Sequence, residues 1–362
     1  MRPDHRSAAL ILAAALLVFP RLASARDPYT ERSELTLPAT GLRVLELDNP
    51  RGSIQVRRST DGKIHLVAYK ICRGETEAKA KDLALRTEVL TSRAGGRYKL
   101  QVKYPQNVRV QIDFWKMLKA ESWDNGVIPR VEVRLVAETP EGIELDLRAV
   151  SGDISTEGLN ASQRIQVASG DVVVKDAKAV SIESVSGDVS VSGSTRTSVH
   201  SASGDLDVVS PKGPVDAQTV SGTIVITQAS DSLRIGSASG DVIVEDAPKG
   251  IRVESVSGEV RVKGATGVVE LSSASGDIRV RVRGPLKRGS IDSTSGEVWL
   301  DLAGGMDASL DVGSVSGTID CRVPLTSPNT GRHGLTGTYG RGGSPIQLRS
   351  ASGDITVTSG GR

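Results

Sequence analysis

Residues 169–185 read Ser-Gly-Asp-Val-Val-Val-Lys-Asp-Ala-Lys-Ala-Val-Ser-Ile-Glu-Ser-Val, and the next unit opens again with Ser186-Gly187-Asp188. After Ser-Gly-Asp, Val172 and Val174 point one way. Lys175 to Lys178 form a polar corner, and Val180 and Ile182 mark a second alternating run. Period-two alternation of β-branched residues is the mark of strands with one buried face. Two short strands and two corners in so few residues predict one coil of a stacked β architecture.

The tripeptide Ser-Gly-(Asp/Glu/Thr) recurs eleven times, at Ser151, Ser169, Ser186, Ser203, Ser221, Ser239, Ser257, Ser275, Ser295, Ser316 and Ser352. Successive spacings are 18, 17, 17, 18, 18, 18, 18, 20, 21 and 36. A fixed period of this kind means that each unit buries its apolar side only by stacking on neighbours. The expected fold is therefore all-β: a parallel β-solenoid, or β-helix, of ~17–18-residue coils, with an irregular N-terminal cap containing one short helix. The repeat corners are Gly152, Gly170, Gly187, Gly204, Gly222, Gly240, Gly258, Gly276, Gly296, Gly317 and Gly353. Glycine there serves a left-handed corner or a close backbone approach.

The residue before each Ser-Gly alternates large and small, from Val150, Ala168 and Val185 to Val256 and Ala274. Either these side chains interdigitate in an inner column, or the true coil is a pair of units. We favour the inner column, because a coil twice as long would enclose more space than Val and Ile fill.

Composition agrees. The 362 residues include only three Trp, five Tyr and two Phe. An ordinary globular core leans on aromatic rings, so this interior must be slim and aliphatic. No apolar run reaches the roughly 18 residues of a membrane span.

The N-terminus reads as a leader. Arg2 and Arg6 precede the apolar stretch Ser7–Pro20, and Ala23-Ser24-Ala25 is an A-x-A cleavage site. Residues 1–25 are therefore expected to be a signal peptide, with an uncleaved anchor helix as the alternative. The chain would then be exported, to the periplasm, the cell surface or the medium. The full chain carries a formal charge of +2, with 45 basic and 43 acidic residues. Loss of Arg2, Arg6, Arg21 and Asp4 leaves 42 of each sign, which offers no field to steer nucleic acid. Cys72 and Cys321 are the only cysteines. They pair in an oxidising compartment, or Cys321 stands as a small apolar residue where other coils carry Val or Ile.

Residues 26–148 read as cap and degenerate repeats, and 149–358 as the Ser-Gly-Asp solenoid. Strand-like runs fall at Lys63–Ile71, Tyr98–Tyr104, Val108–Ile112 and Val131–Ala137, and Glu75–Leu85 reads as a helix. Phe114, Trp115 and Trp123 fall in one insertion. They form either an exposed patch for a partner or a plug over the last coil. The Gly- and Pro-rich stretch 324–346 reads as a mobile surface loop. The edge near Ile355 could pair with another copy.

Catalytic signatures are absent. There is no HExxH, GxSxG, P-loop or CxxC, and His65, His200 and His333 lie in unrelated settings. The serines follow the repeat, so their distribution is structural. Asp153, Asp171, Asp188, Asp205, Asp241, Asp277 and Asp354 share one position, filled elsewhere by Glu259, Glu297, Thr223 and Thr318. Capping of backbone amides at the corner explains this column better than metal binding, since Thr makes a poor required ligand. We expect no catalytic residue, no metal and no cofactor.

The units SVSGDV and SASGDV, such as Ser186-Gly187-Asp188-Val189, resemble the bacterial "putative adhesin" β-strand repeat family, a domain of unknown function that overlaps the toast-rack domains of LiaG-like proteins. The resemblance covers about residues 40–360. It implies a β-solenoid outside the inner membrane and no enzyme activity. It implies an adhesin-like scaffold binding a protein or glycan of the cell envelope. Envelope-stress sensing is the competing role, and a carbohydrate-active β-helix enzyme is a third. The insertion at 106–125 and the stretch 324–346 depart from the family pattern, as does the lack of the membrane helices that many stress-sensing relatives carry.

Overall fold

The computed structural model describes residues 28–105 and 131–360. The expected leader 1–25, the run Val108–Ile112, and Phe114, Trp115 and Trp123 lie outside the described residues. The chain divides into two compact units, Met1–Gly187 and Asp188–Arg362.

In the first unit the order is β1 (Tyr29–Pro38), β2 (Val44–Arg51), β3 (Ile54–Arg58), β4 (Lys63–Cys72), α1 (Glu77–Arg86), β5 (Glu88–Ala94), β6 (Arg97–Lys103), β7 (Val131–Thr139), β8 (Glu144–Ser151), β9 (Ile154–Glu157), β10 (Ser162–Ser169), β11 (Val172–Lys175) and β12 (Ala179–Ser186). Each coil is one long and one short strand. Long stacks on long and short on short, all parallel: Leu147 faces Ile165, which faces Ile182, and Ile154 faces Val172. These five side chains have no exposed surface. Each contributes roughly 1.5–3 kcal/mol by leaving water.

Order in space departs from order in the chain. β2 lies between β8 and β6, and β3 between β9 and β7, all parallel. The pair β6 and β7 therefore forms the outermost coil. Antiparallel strands then continue both ladders: β5 on β6, β4 on β7 and β1 on β4. The turn from β5 to β6 is Gly95-Gly96, with φ of 58° and 78°. That is the two-residue hairpin geometry glycine favours. Helix α1 is capped by the Thr76 hydroxyl, which accepts from the Lys79 amide. Its Ala80 and Ala84 pack on Cys72 and Val131. The Lys70 ammonium donates to Glu31 (2.9 Å) and to the Ala84 carbonyl (3.1 Å) at the helix C-terminus.

The second unit repeats the coil. Val199, Ala217, Ile235, Val253, Leu271 and Ile291 form one inward column, and Leu206, Ile224, Val242, Val260, Ile278 and Val298 the other. Most of these partners stand 18 residues apart, so one repeat is one coil. The order then changes. Strand 344–352 stacks on 289–295, and strand 308–314 stacks outside it: Ile291 faces Leu348, which faces Val312. The last coil of the sequence is thus the penultimate one in space.

Three expectations are corrected. Ile355 does not stand at an open edge, because it lies between Val298 and Ile319. The stretch 324–346 is no loop. Leu325–Thr330 and Gly334–Tyr339 form a hairpin that continues the sheet antiparallel to strand 308–314. The alternating Val and Ala before each Ser-Gly do not form an inner column, although Ala168 is itself buried. Val220, Val256 and Val315 are 59%, 58% and 69% exposed. Alternation explains this: Val199 and Ser201 face inward, so Ala202 must face out. The inner column at that level is Ser or Thr (Ser201, Thr219, Ser237, Ser255), all buried.

Candidate functional site

The Ser-Gly-Asp corner is built for stacking. At Gly152, φ is +143°, and a Cβ would lie 2.4 Å from the Gly52 carbonyl oxygen of the adjoining coil. Only a residue without Cβ lets the coils approach this closely. The aspartates that follow tie coil to coil. Asp153 Oδ1 accepts from the Asp171 amide (3.0 Å), Asp205 from Thr223 (2.8 Å), Asp241 from Glu259 (2.8 Å), Asp277 from Glu297 (3.0 Å) and Asp354 from Thr318 (2.7 Å). These carboxylates are spoken for by amides, which is the capping role. Among the described residues no group of three His, Cys, Asp or Glu is placed to hold a metal ion. Cys72 is buried and Cys321 half-buried, and both thiols are free. Burial pushes the Cys72 thiol up to about 11.

The outer face of the long strands differs between the units. In the first it is a closed ionic network. Glu46, 6% exposed, is paired with Lys99 (2.8 Å), Arg97 (3.0 Å) and Arg148 (3.4 Å). Burial pushes its carboxyl up, but Lys99 and Arg97 outweigh it, and the net shift is downward. Beside it, burial holds the Asp48 carboxyl above the ordinary range.

In the second unit the same face is open. The hairpin 325–339 and the displaced coil turn it into a groove of two adjoining cavities, about 730 Å³ and about 710 Å³, that share Ser272, Asp292, Asp311 and Thr336. The floor is ruled in register. Arg252, Glu270, Ser290, Gln347 and Asp311 form one outward column, and Glu254, Ser272, Asp292 and Arg349 the next. Glu270 is ion-paired with both Arg252 and Arg288, and Asp311 with Arg349. Among the described residues Asp292 accepts only from the Ser290 hydroxyl (3.0 Å), and Glu254 has no partner. Thr336 and the exposed His333 come from the hairpin. The groove thus presents carboxylates, guanidinium groups, a carboxamide and hydroxyls at coil spacing of ~4.8 Å, with no deep apolar pocket.

A family model described as Toastrack DUF4097 matches residues 45–249 and again 230–358. The chain belongs to the Toastrack DUF4097 family. A search of curated proteins finds no match. Among solved structures, this Toastrack chain is similar to a "putative cell adhesion protein" from Clostridium sporogenes, at 8% identity, over 92% of this chain and 100% of that one, with a TM-score of 0.23. It is similar to a "putative lipid binding protein" from Parabacteroides distasonis, at 14% identity over 92% and 97%, TM-score 0.37. It is also similar to a "putative adhesin" from Bacteroides fragilis, at 13% identity over 91% and 99%, TM-score 0.29. Likenesses this distant carry nothing about function.

Sequence reasoning grouped the glycines and aspartates of the Toastrack repeat by position; in the structure Gly152, Gly170 and Gly187 stack coil on coil, and Asp153 accepts from the Asp171 amide. It missed the groove. Glu270, Asp292, Asp311 and Arg349 are scattered in the sequence and meet only because coil 344–359 inserts between two earlier ones. The interval of 36 residues before Ser352, twice the repeat, was the one available signal.

Proposed function

We propose that this Toastrack chain is an exported, non-enzymatic scaffold that binds an extended glycan of the cell envelope along the outer groove of residues 188–362. The observation that carries this reading is the ruled floor of that groove, where Glu254, Ser272 and Asp292 stand on successive coils, outside any ion pair, beside Gln347 and Thr336. Planar and hydroxyl-bearing side chains at a regular pitch suit a hydroxyl-rich polymer. A protein partner would be anchored above all by aromatic side chains, and neither cavity is lined by one, although the aliphatic Val315 and Leu335 line the second. Export is supported by Ser7–Ala25. Among the described residues no helix is long and apolar enough to cross a membrane.

The test is calorimetric titration with purified envelope polysaccharides, repeated with Asp292→Ala and Gln347→Ala. Binding weakened by roughly tenfold or more in either variant supports the reading, since each removes a polar contact to the glycan. Absence of glycan binding, or binding indifferent to both substitutions, sinks it. The same mixtures are assayed for new reducing ends. Their appearance would replace the scaffold by a hydrolase using Glu254 and Asp292.

A further inference from the structure

A sheet edge is a row of unpaired amides and carbonyls, and long flat edges pair with other chains unless they are blunted. Among the described residues four strands have a neighbour on one side only. Ile319–Cys321 is three residues long. Leu325–Thr330 is broken by a register shift between Thr326 and Asn329, by Ser327 at φ 53° and by Pro328. β5 has seven residues. β1 is different: ten residues, in unbroken register with β4 from Tyr29–Cys72 to Pro38–Lys63.

The sequence of β1 is largely complementary to itself about its centre. Pro28 and Pro38 bracket Tyr-Thr-Glu-Arg-Ser-Glu-Leu-Thr-Leu, centred on Ser33. Laid antiparallel on a second copy about that centre, Arg32 faces Glu34 twice, Thr30 faces Thr36 twice, and Tyr29 faces Leu37 twice. Opposite charges and paired threonines are combinations that stabilise antiparallel neighbours, and Tyr29 and Leu37 would cover apolar surface on each other. Glu31 falls opposite Leu35, but its charge is already met by Lys70. The same operation on β5 about Thr91 sets Val89 against Arg93, with no such match.

Burial points the same way. Tyr29, Leu35 and Leu37 alternate with exposed residues, yet none of β1 reaches full burial. Within one copy, among the described residues, Arg32 and Glu34 pair only with each other, 2.7 Å apart and half exposed. Such a pair adds little to a monomer.

We propose that β1 is the contact through which two copies of this chain pair, edge to edge and antiparallel, about a two-fold axis at Ser33. The partner's Leu37 covers Tyr29, and its Glu34 meets Arg32. The arrangement is isologous, so it closes at two copies. It does not depend on the glycan groove, which belongs to the other unit.

The full chain, purified from an exporting host, is examined by sedimentation velocity up to on the order of tens of micromolar. Wild type is expected to sediment as a dimer. R32E sets two glutamates against each other twice, and E34R does the same with arginines. Each variant is expected to raise the dimer dissociation constant by about tenfold or more. The decisive sample is an equimolar mixture of R32E and E34R. There the substituted glutamate of one copy meets the substituted arginine of the other, and the native Glu34 of the first meets the native Arg32 of the second. Both contacts again join opposite charges, so the mixture regains the dimer. Thermal unfolding of each variant confirms folding, which these exposed positions leave intact. A monomeric wild type overturns the proposal, as do variants that dimerise like wild type, or a mixture that stays monomeric.

Discussion

Gly353 stacks directly on Gly296, so that a Cβ on Gly353 would lie 2.1 Å from the Gly296 carbonyl oxygen, although the chain builds the coil of Gly317 between them. Gly317 in turn would set a Cβ 2.0 Å from the Gly353 carbonyl. The glycine column thus records the true order of the coils. Gly353→Ala must push two coils apart and should cost about 2–4 kcal/mol. Gly304→Ala, with nothing within 4 Å of its Cβ, should stay within about 0.5 kcal/mol of wild type. Denaturant midpoints at constant slope measure both.

The aspartate ladder makes a graded prediction. Asp241 Oδ1 accepts from the Glu259 amide at 2.8 Å. Asp241→Ala leaves that amide to water and should lose about 1–2 kcal/mol. Asp241→Asn keeps an oxygen acceptor and should lose about half as much. Equal losses in the two variants would mean that charge, and not the hydrogen bond, holds the corner.

Much of this fold was legible because one physical rule repeats. Val172 and Val174 alternate with polar residues, so their strand and its buried face follow at once. The outward Val220 and Val256 were misplaced because their hydrophobicity outweighed the count: they stand one residue out of step with the buried Thr219 and Ser255. What could not be read is non-local. Nothing near Ser344 says that it joins a strand stacking on 289–295, since parallel pairing depends on matching aliphatic rows and not on sequence proximity. The groove depends on that insertion, so Asp292 and Arg349 could be named as exposed positions but not as neighbours.

The buried serine column offers a stabilising substitution. The hydroxyls of Ser273, Ser293 and Ser350 are buried and have no hydrogen-bond partner among the described residues. A buried hydroxyl without a partner costs roughly 1–3 kcal/mol. Ser293→Ala removes it and leaves space smaller than a methyl group. We expect the melting temperature to rise, by an amount scanning calorimetry resolves. Ser255→Ala is the contrast, because its hydroxyl donates to the Ser257 carbonyl, and there stability should fall.

Acid sensitivity should centre in part on the turn between β3 and β4. Asp61 accepts from the Lys63 amide (2.9 Å), from the Ser59 hydroxyl (2.8 Å) and from His65 Nε2 (2.9 Å). These bonds, the Lys63 amide foremost, hold its carboxyl at about 2 against an ordinary 3.8. A carboxyl depressed in the folded state stabilises fully above its unfolded value and loses that contribution as pH falls through its folded one. The contribution of Asp61 is therefore intact above about pH 4 and fades toward pH 2. Asp61→Asn should melt below wild type at pH 7, and the gap should narrow as pH drops through that window. A gap of constant size down to pH 2 would show that the lost interaction is steric and not ionic.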